Sequence, residues 1–222
     1  MMKRTKLADR VLPVYSIAEE AVNTATHLVG GVLGILALIL CVRRAALDRG
    51  AAEIAGAAIY GSCLVILYSV SSLYHGLRPG MAKKVLQVLD HCAIYFLIAG
   101  SYSVVCLGAI RRENAFLCWG ILTLEWALCL LATVLTAIDL KRYKVFSMIC
   151  YIGMGWAIIP LAAMLLRIMT PAGFWLLLLG GISYTVGAIL FAIKRKWLHS
   201  IFHVFVVAGS VLQFFAFYWY GL

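Results

Sequence analysis

Apolar stretches of at least 20 residues recur along nearly the whole chain, and no other feature of the sequence limits its folding as tightly. A helix of about 20 such residues crosses roughly 30 Å of hydrocarbon while making all its backbone hydrogen bonds internally. Seven stretches qualify: Ala21 to Val42, Ala51 to Tyr74, Val88 to Ile110, Ala115 to Ile138, Val145 to Leu166, Ala172 to Ile193 and Trp197 to Trp219. With 64% hydrophobic and only 13% charged residues, and a mean hydropathy of +1.00, an ordinary soluble domain is excluded. The sequence predicts an all-α polytopic membrane protein, a single seven-helix bundle over residues 1–222 with a short amino-terminal segment, residues 1–20, ahead of the first span.

The net charge of +10 does not point to nucleic acid, because the cations fall between the spans rather than on one soluble face. They give topology instead. The amino-terminal segment (Lys3, Arg4, Lys6, Arg10), the second connection (Arg78, Lys83, Lys84), the fourth (Lys141, Arg142, Lys144) and the sixth (Lys194, Arg195, Lys196) hold thirteen of the 19 basic residues. Arg43, Arg44, Arg49, Arg111, Arg112 and Arg167 fall on the other side. The excess of cations predicts a cytoplasmic amino terminus and an external carboxyl terminus, in a cell (inner or plasma) membrane. The first span follows about 20 polar or mixed residues with no small-residue cleavage site after it, which argues against a removable signal peptide. The seven cysteines lie within or at the ends of spans without C-x-x-C spacing, and read as small packing residues.

An ionisable side chain in a bilayer is costly, so its position carries information. His27 starts span one, His75 ends span two, His91 starts span three, and His199 and His203 occupy the first turns of span seven. Span parity puts all five at the cytoplasmic end, together with Glu19, Glu20, Asp90, Asn23, Ser71 and Ser72. His199 and His203, four apart, share one helix face with Cβ atoms about 6 Å apart, and two imidazoles so placed can reach a common ion. His75 is the natural third ligand on a neighbouring span. A lone helix-end histidine such as His91 reads as an interfacial or capping residue. Glu20, Asn23 and His27 form one polar stripe on span one, either orienting ligands from behind or hydrogen-bonding between helices. Glu125 stands alone near the middle of span four.

The segments E-E-x-x-N-x-x-T-H at Glu19 to His27, S-S-L-Y-H at Ser71 to His75, D-H-x-x-I-Y-x-L-I-A-G-x-Y at Asp90 to Tyr102, and H-x-x-F-H-x-F-V-x-x-G-S at His199 to Ser210 resemble the haemolysin III family. That family groups with the progestin and adipoQ receptors and, more distantly, with the alkaline ceramidases. The resemblance spans essentially the whole chain. It implies a zinc ion near the cytoplasmic helix ends, held by His75, His199 and His203, with Asp90 hydrogen-bonded to a water on the metal and Ser71 beside it. It also implies hydrolysis of an amide bond in a membrane lipid such as ceramide. Three places depart from the family pattern: Leu28 stands for a glycine, Ser103 with Val104 for a threonine-proline pair, and Gln213 for a histidine.

The chemistry of such a site is self-consistent. Three neutral imidazoles leave zinc an exchangeable position. A carboxylate at Asp90 is placed to act as base, Ser71 to donate to a developing oxyanion, and a cavity open to the bilayer to admit an acyl chain. Two other classes fit parts of the sequence: a membrane-state sensor with structural zinc, and an ion or proton pathway ending in a haemolytic pore. A pathway would need polar lining along its length, whereas only Glu125 lies near mid-bilayer.

Overall fold

The computed structural model describes residues 4–222, and Lys3, counted above among the amino-terminal cations, lies outside them. Among the described residues seven helices are long and apolar enough to cross a membrane: α1 Ile17–Asp48, α2 Ala51–Gly76, α3 Met81–Glu113, α4 Ala115–Ile138, α5 Lys144–Ile168, α6 Thr170–Ala192 and α7 Leu198–Gly221. The described residues contain no strand.

Most of the helices are longer than the apolar runs, because polar residues at their ends satisfy backbone groups that hydrocarbon would leave orphaned. Helix α1 starts at Ile17 because Ser16 and Glu19 cap each other: the Glu19 amide donates to Ser16 Oγ at 3.3 Å, and the Ser16 amide donates to Glu19 Oε2 at 2.9 Å. Asn114 caps α4 in the same way, accepting from the Leu117 amide at 2.9 Å. One consequence corrects the sequence reading. Lys83 and Lys84, expected in the second connection, belong to the first turn of α3, and Lys144 opens α5. Arg43 and Arg44 likewise lie in the last turns of α1. A long aliphatic stem lets a cation sit on a helix end with its charge in a polar setting.

The packing follows chain order, with α1 on α2, α2 on α3 and α6 on α7, and α7 closing back onto α1. Helix α3 sits inside this ring against α2, α4 and α5. In its most apolar window 83% of residues are buried, against 17% for α5, whose other faces are left for lipid. Large side chains such as Leu28, Val32, Leu36 and Leu131 point outward, as expected where the solvent is hydrocarbon. Six of the seven cysteines are buried and all are free thiols.

At the end of the bundle away from the histidines, α3 widens into a π-turn over Cys106–Ile110 and α7 into another over Phe217–Gly221. They meet at Gly108, where a Cβ would lie 2.5 Å from the Gly221 carbonyl oxygen, so only glycine allows this approach.

The amino-terminal segment is strapped across the other end of the bundle. Arg4 Nε and Arg10 Nη2 donate to the last carbonyls of α4, at Ile138 (3.1 Å) and Ala137 (3.3 Å), and Lys84 Nζ donates to the Ala8 carbonyl. The Thr5 amide donates to the buried Asp139 carboxylate at 2.8 Å, which also takes the amides of Lys141 and Arg142, both at 3.1 Å. Burial alone would raise the Asp139 carboxyl, but the Thr5, Arg142 and Lys141 amides outweigh it and hold the group below the usual carboxylate range. A depressed folded pKa contributes stability above the unfolded value of about 3.9, and that contribution disappears as pH falls through the folded value. Asp139→Asn should therefore lose about 1–3 kcal/mol at neutral pH, and its deficit in thermal unfolding in detergent should shrink below pH about 4. A deficit equally large at low pH would show that the charge is not what matters.

Candidate metal centre

Three imidazoles converge at the strapped end of the bundle. His75 comes from the last turn of α2, and His199 and His203 from the first two turns of α7. Their candidate ligand atoms all lie within 4.8 Å of one another. The Nε2 atoms of His75 and His199 are 3.2 Å apart. His75 and His203 are almost fully buried and His199 is half-buried. Helical spacing puts His199 and His203 on one face, and Ser200 beside them donates to Asn23 Oδ1 at 2.6 Å, locking α7 to α1.

The groups behind the imidazoles fix their tautomers. His75 Nδ1 lies 2.6 Å from Glu20 Oε2. A carboxylate only accepts, so Nδ1 carries the proton and the lone pair is on Nε2. The 3.4 Å approach of Asn23 Nδ2 to the same nitrogen is then packing rather than a hydrogen bond. His203 Nδ1 donates to the Asn23 carbonyl at 3.3 Å, which likewise leaves Nε2 as the free lone pair. A neutral ring at His199 can share one proton with His75 across the 3.2 Å gap. Nothing among the described residues offers a proton donor to His203 Nε2. Buried nitrogen lone pairs brought together this way suit a divalent cation with a taste for imidazole, and a carboxylate behind a ligating histidine is the usual support. The residues present therefore fit a metal held by three nitrogens.

All three stripe residues on α1 reach the group. Glu20 holds His75, Asn23 touches His203 and Ser200, and the His27 ring stacks on His203 with centroids 3.6 Å apart and planes within 9°. Both His27 nitrogens are buried without a hydrogen-bond partner among the described residues, as is Ser71 Oγ. Asp90 and Ser71 line a cavity of about 150 Å³ that His199, His203 and His27 also face. Neither hydrogen-bonds one of the three imidazoles.

The remaining polar residues are dispersed. His91 faces the cavity, but its Nδ1 donates to the Gln87 carbonyl at 2.8 Å, in keeping with a helix-bound role. Gln213 lies at the far end of the same cavity, 14 residues along α7, and accepts from Ser101 Oγ at 3.3 Å. Leu28 points outward. Ser103 accepts from Trp126 Nε1 at 3.0 Å. Glu125 lines none of these cavities, and both its carboxylate oxygens are buried without a partner among the described residues.

Two neighbours of the imidazole group escaped the sequence reading. Lys83, treated there as a loop cation, is 3% exposed. It donates to Glu20 Oε1 at 2.6 Å and to the carbonyls of Leu77 (2.9 Å) and His75 (3.3 Å), so it neutralises the carboxylate that positions His75. Tyr15, at the end of the strap, packs its ring against His199 and His75, with centroids 4.9 and 5.8 Å away. Burial, reinforced by Glu20, Asp90 and Glu19, holds its phenol well above the ordinary range, so it stays protonated. The signal for Lys83 was its place in the first turn of a helix, as the third residue of α3; nothing marked Tyr15.

Residues 15–214 match the family described as haemolysin-III related. The chain is 37% identical over 207 residues to hemolysin-3 of Bacillus cereus, covering 93% of each protein. It is 36% identical over 208 residues to the hemolysin-3 homolog of Bacillus subtilis (strain 168), covering 93% of this chain and 96% of that one. It is 27% identical over 172 residues to the human monocyte to macrophage differentiation factor, covering 73% and 68%.

Support of His75 by Glu20 predicts that Glu20→Ala weakens divalent-metal binding about 10–100-fold, read by competition with a chromophoric chelator, and that Glu20→Gln, which keeps an acceptor, weakens it less. Equal affinity in Glu20→Ala and wild type would remove Glu20 from the metal centre.

Proposed function

The chain belongs to the haemolysin III family, and on that footing we propose that it is a zinc-dependent hydrolase of lipid amide bonds. The observation that supports the reading is the convergence of His75, His199 and His203 beside a cavity lined by His199 and His203 together with Asp90 and Ser71. The excess of cations at the strapped end, in the strap, in the connections there and in the helix turns beside them, supports an orientation with this site at the cytoplasmic face of a cell membrane. The whole chain then works as one seven-helix unit.

His75, His199 and His203 would hold the zinc, which supplies a Lewis acid and brings a coordinated water to a pKa of roughly 7. The apolar wall of the cavity, including Leu67, Ile94, Leu97 and Phe202, takes the acyl chain and keeps bulk water away. The Asp90 carboxylate accepts the proton of the attacking water and returns it to the amide nitrogen as the C–N bond breaks, giving a fatty acid and an amine. Ser71 Oγ, without another partner, is free to donate to the carbonyl oxygen as it gains charge. Glu20, Asn23 and His27 hold the imidazoles from behind, and Lys83 keeps Glu20 ionised and in place.

Purified wild type should contain zinc close to one per chain, and His75→Ala and His203→Ala should lose it. Asp90→Asn should keep the metal while hydrolysis of a long-chain ceramide falls about 10²–10⁴-fold. Wild type without stoichiometric metal would end the reading. Metal without turnover in every lipid amide tried, with Asp90→Asn indistinguishable from wild type, would leave the ion a structural part of a membrane-state sensor.

A further inference from the structure

The apolar cavity beneath the histidines adjoins a second, larger one. This vestibule, of about 620 Å³, lies at the strapped end of the bundle and shares Asp90, His91 and His199 with the inner cavity. One wall is the strap from Val11 to Tyr15. Lys144, Lys194, Arg195 and Lys196 line it, and among the described residues none of these four cations is ion-paired. The carboxylates in its lining are Glu19 and Asp90. Glu19 is engaged by the Ser16 amide, Ser16 Oγ at 2.7 Å and the Trp197 amide at 2.7 Å.

That last bond fixes the cations. Trp197 has a φ of 69°, a left-handed conformation that a bulky residue keeps only where its surroundings impose it. The turn it makes, clamped by Glu19, carries the chain from Lys194, Arg195 and Lys196 directly into His199. Cations that served only to orient α7 in the membrane would need no such clamp and no cavity.

We infer that the vestibule receives the polar end of the ligand and that this end is anionic: the protein takes acyl amides with a carboxylate or phosphate just beyond the amide nitrogen, in preference to neutral ones such as ceramide. Their chain lies in the inner cavity, the amide beside the histidines, and the anion against Lys194 and its neighbours. The inference rests on the amide-hydrolase reading for the placement of the amide, but its test is one of binding and does not need turnover.

Trp156 lines the inner cavity and reports its occupancy. Asp90→Asn protein in detergent is titrated with N-(9,10-dibromostearoyl)glycine and with the neutral N-(9,10-dibromostearoyl)ethanolamine, following bromine quenching of the tryptophan fluorescence that Trp156→Phe removes. The glycine conjugate should bind about tenfold more tightly, with the preference shrinking as salt is raised. Lys194→Gln/Arg195→Gln/Lys196→Gln should abolish the preference while leaving ethanolamide binding intact. Arg78→Gln/Lys141→Gln/Arg142→Gln, an equal loss of charge away from the vestibule, should preserve it. Should the first triple variant also lose ethanolamide binding, the single variants Lys194→Gln and Lys196→Gln decide, each expected to reduce the preference. Excess inorganic phosphate separates the sources: competition with the glycine conjugate alone means that the vestibule also takes free anions, and no competition means that it reads the anion only on a lipid. Equal binding of the two conjugates to protein that keeps all four vestibule cations, or a preference reduced equally by both triple variants, overturns the proposal. Quenching by neither conjugate overturns instead the placement of an acyl chain in the inner cavity.

Discussion

A chain that lives in hydrocarbon must supply from within itself every partner that water would otherwise provide. The Glu20 carboxylate is where this constraint acts most strongly. One of its oxygens takes the His75 ring N–H and the other takes Lys83, so a single group joins α1, α2 and α3 at the strapped end. Removing one member of such a buried set leaves the others uncompensated, at a cost well above the worth of one hydrogen bond. The three helices that carry the set are thus held at one relative height, and the height of His75 against His199 and His203 follows from it.

The same constraint organises the rest of the bundle. Tyr68 and Tyr184 both reach Ser210 Oγ, at 2.6 and 2.8 Å, which ties α2, α6 and α7 in the middle of the membrane. At the end away from the histidines, Glu53 holds the α2 cap and pairs with Arg111 at 3.4 Å. Close approach of small residues does the remainder: a Cβ at Gly30 would lie 2.6 Å from the Tyr68 ring, so α1 and α2 pack there only because glycine leaves room. Tyr68 in turn presents its edge to His27, which links this packing to the imidazole group.

The seven helices were legible in the sequence because burial in lipid demands a length that a single pattern encodes. The gathering of histidines at one end was legible too, because span parity converts position along the chain into depth. What the sequence left open depends on tertiary pairing. Lys83 and Lys84 are adjacent and chemically alike, yet Lys83 is buried on Glu20 while Lys84 reaches out to the strap. The polar stripe Glu20, Asn23, His27 could be read as ligand support or as helix glue, and its contacts with His75, His203 and Ser200 serve both purposes at once. Tyr15 could not be placed because its position depends on the Asp139 turn, more than a hundred residues away. Glu125 remains an orphaned carboxyl for which the packing gives no reason.

The imidazole group draws one member from α2 and two from α7. Since His75 and His199 are 124 residues apart, with α3 to α6 between them, those helices can be threaded into the bilayer and paired while His75 still lacks its companions. The imidazole group therefore comes together only when α7 docks beside α2 and α1, so its assembly reports the meeting of helices that four others separate along the chain.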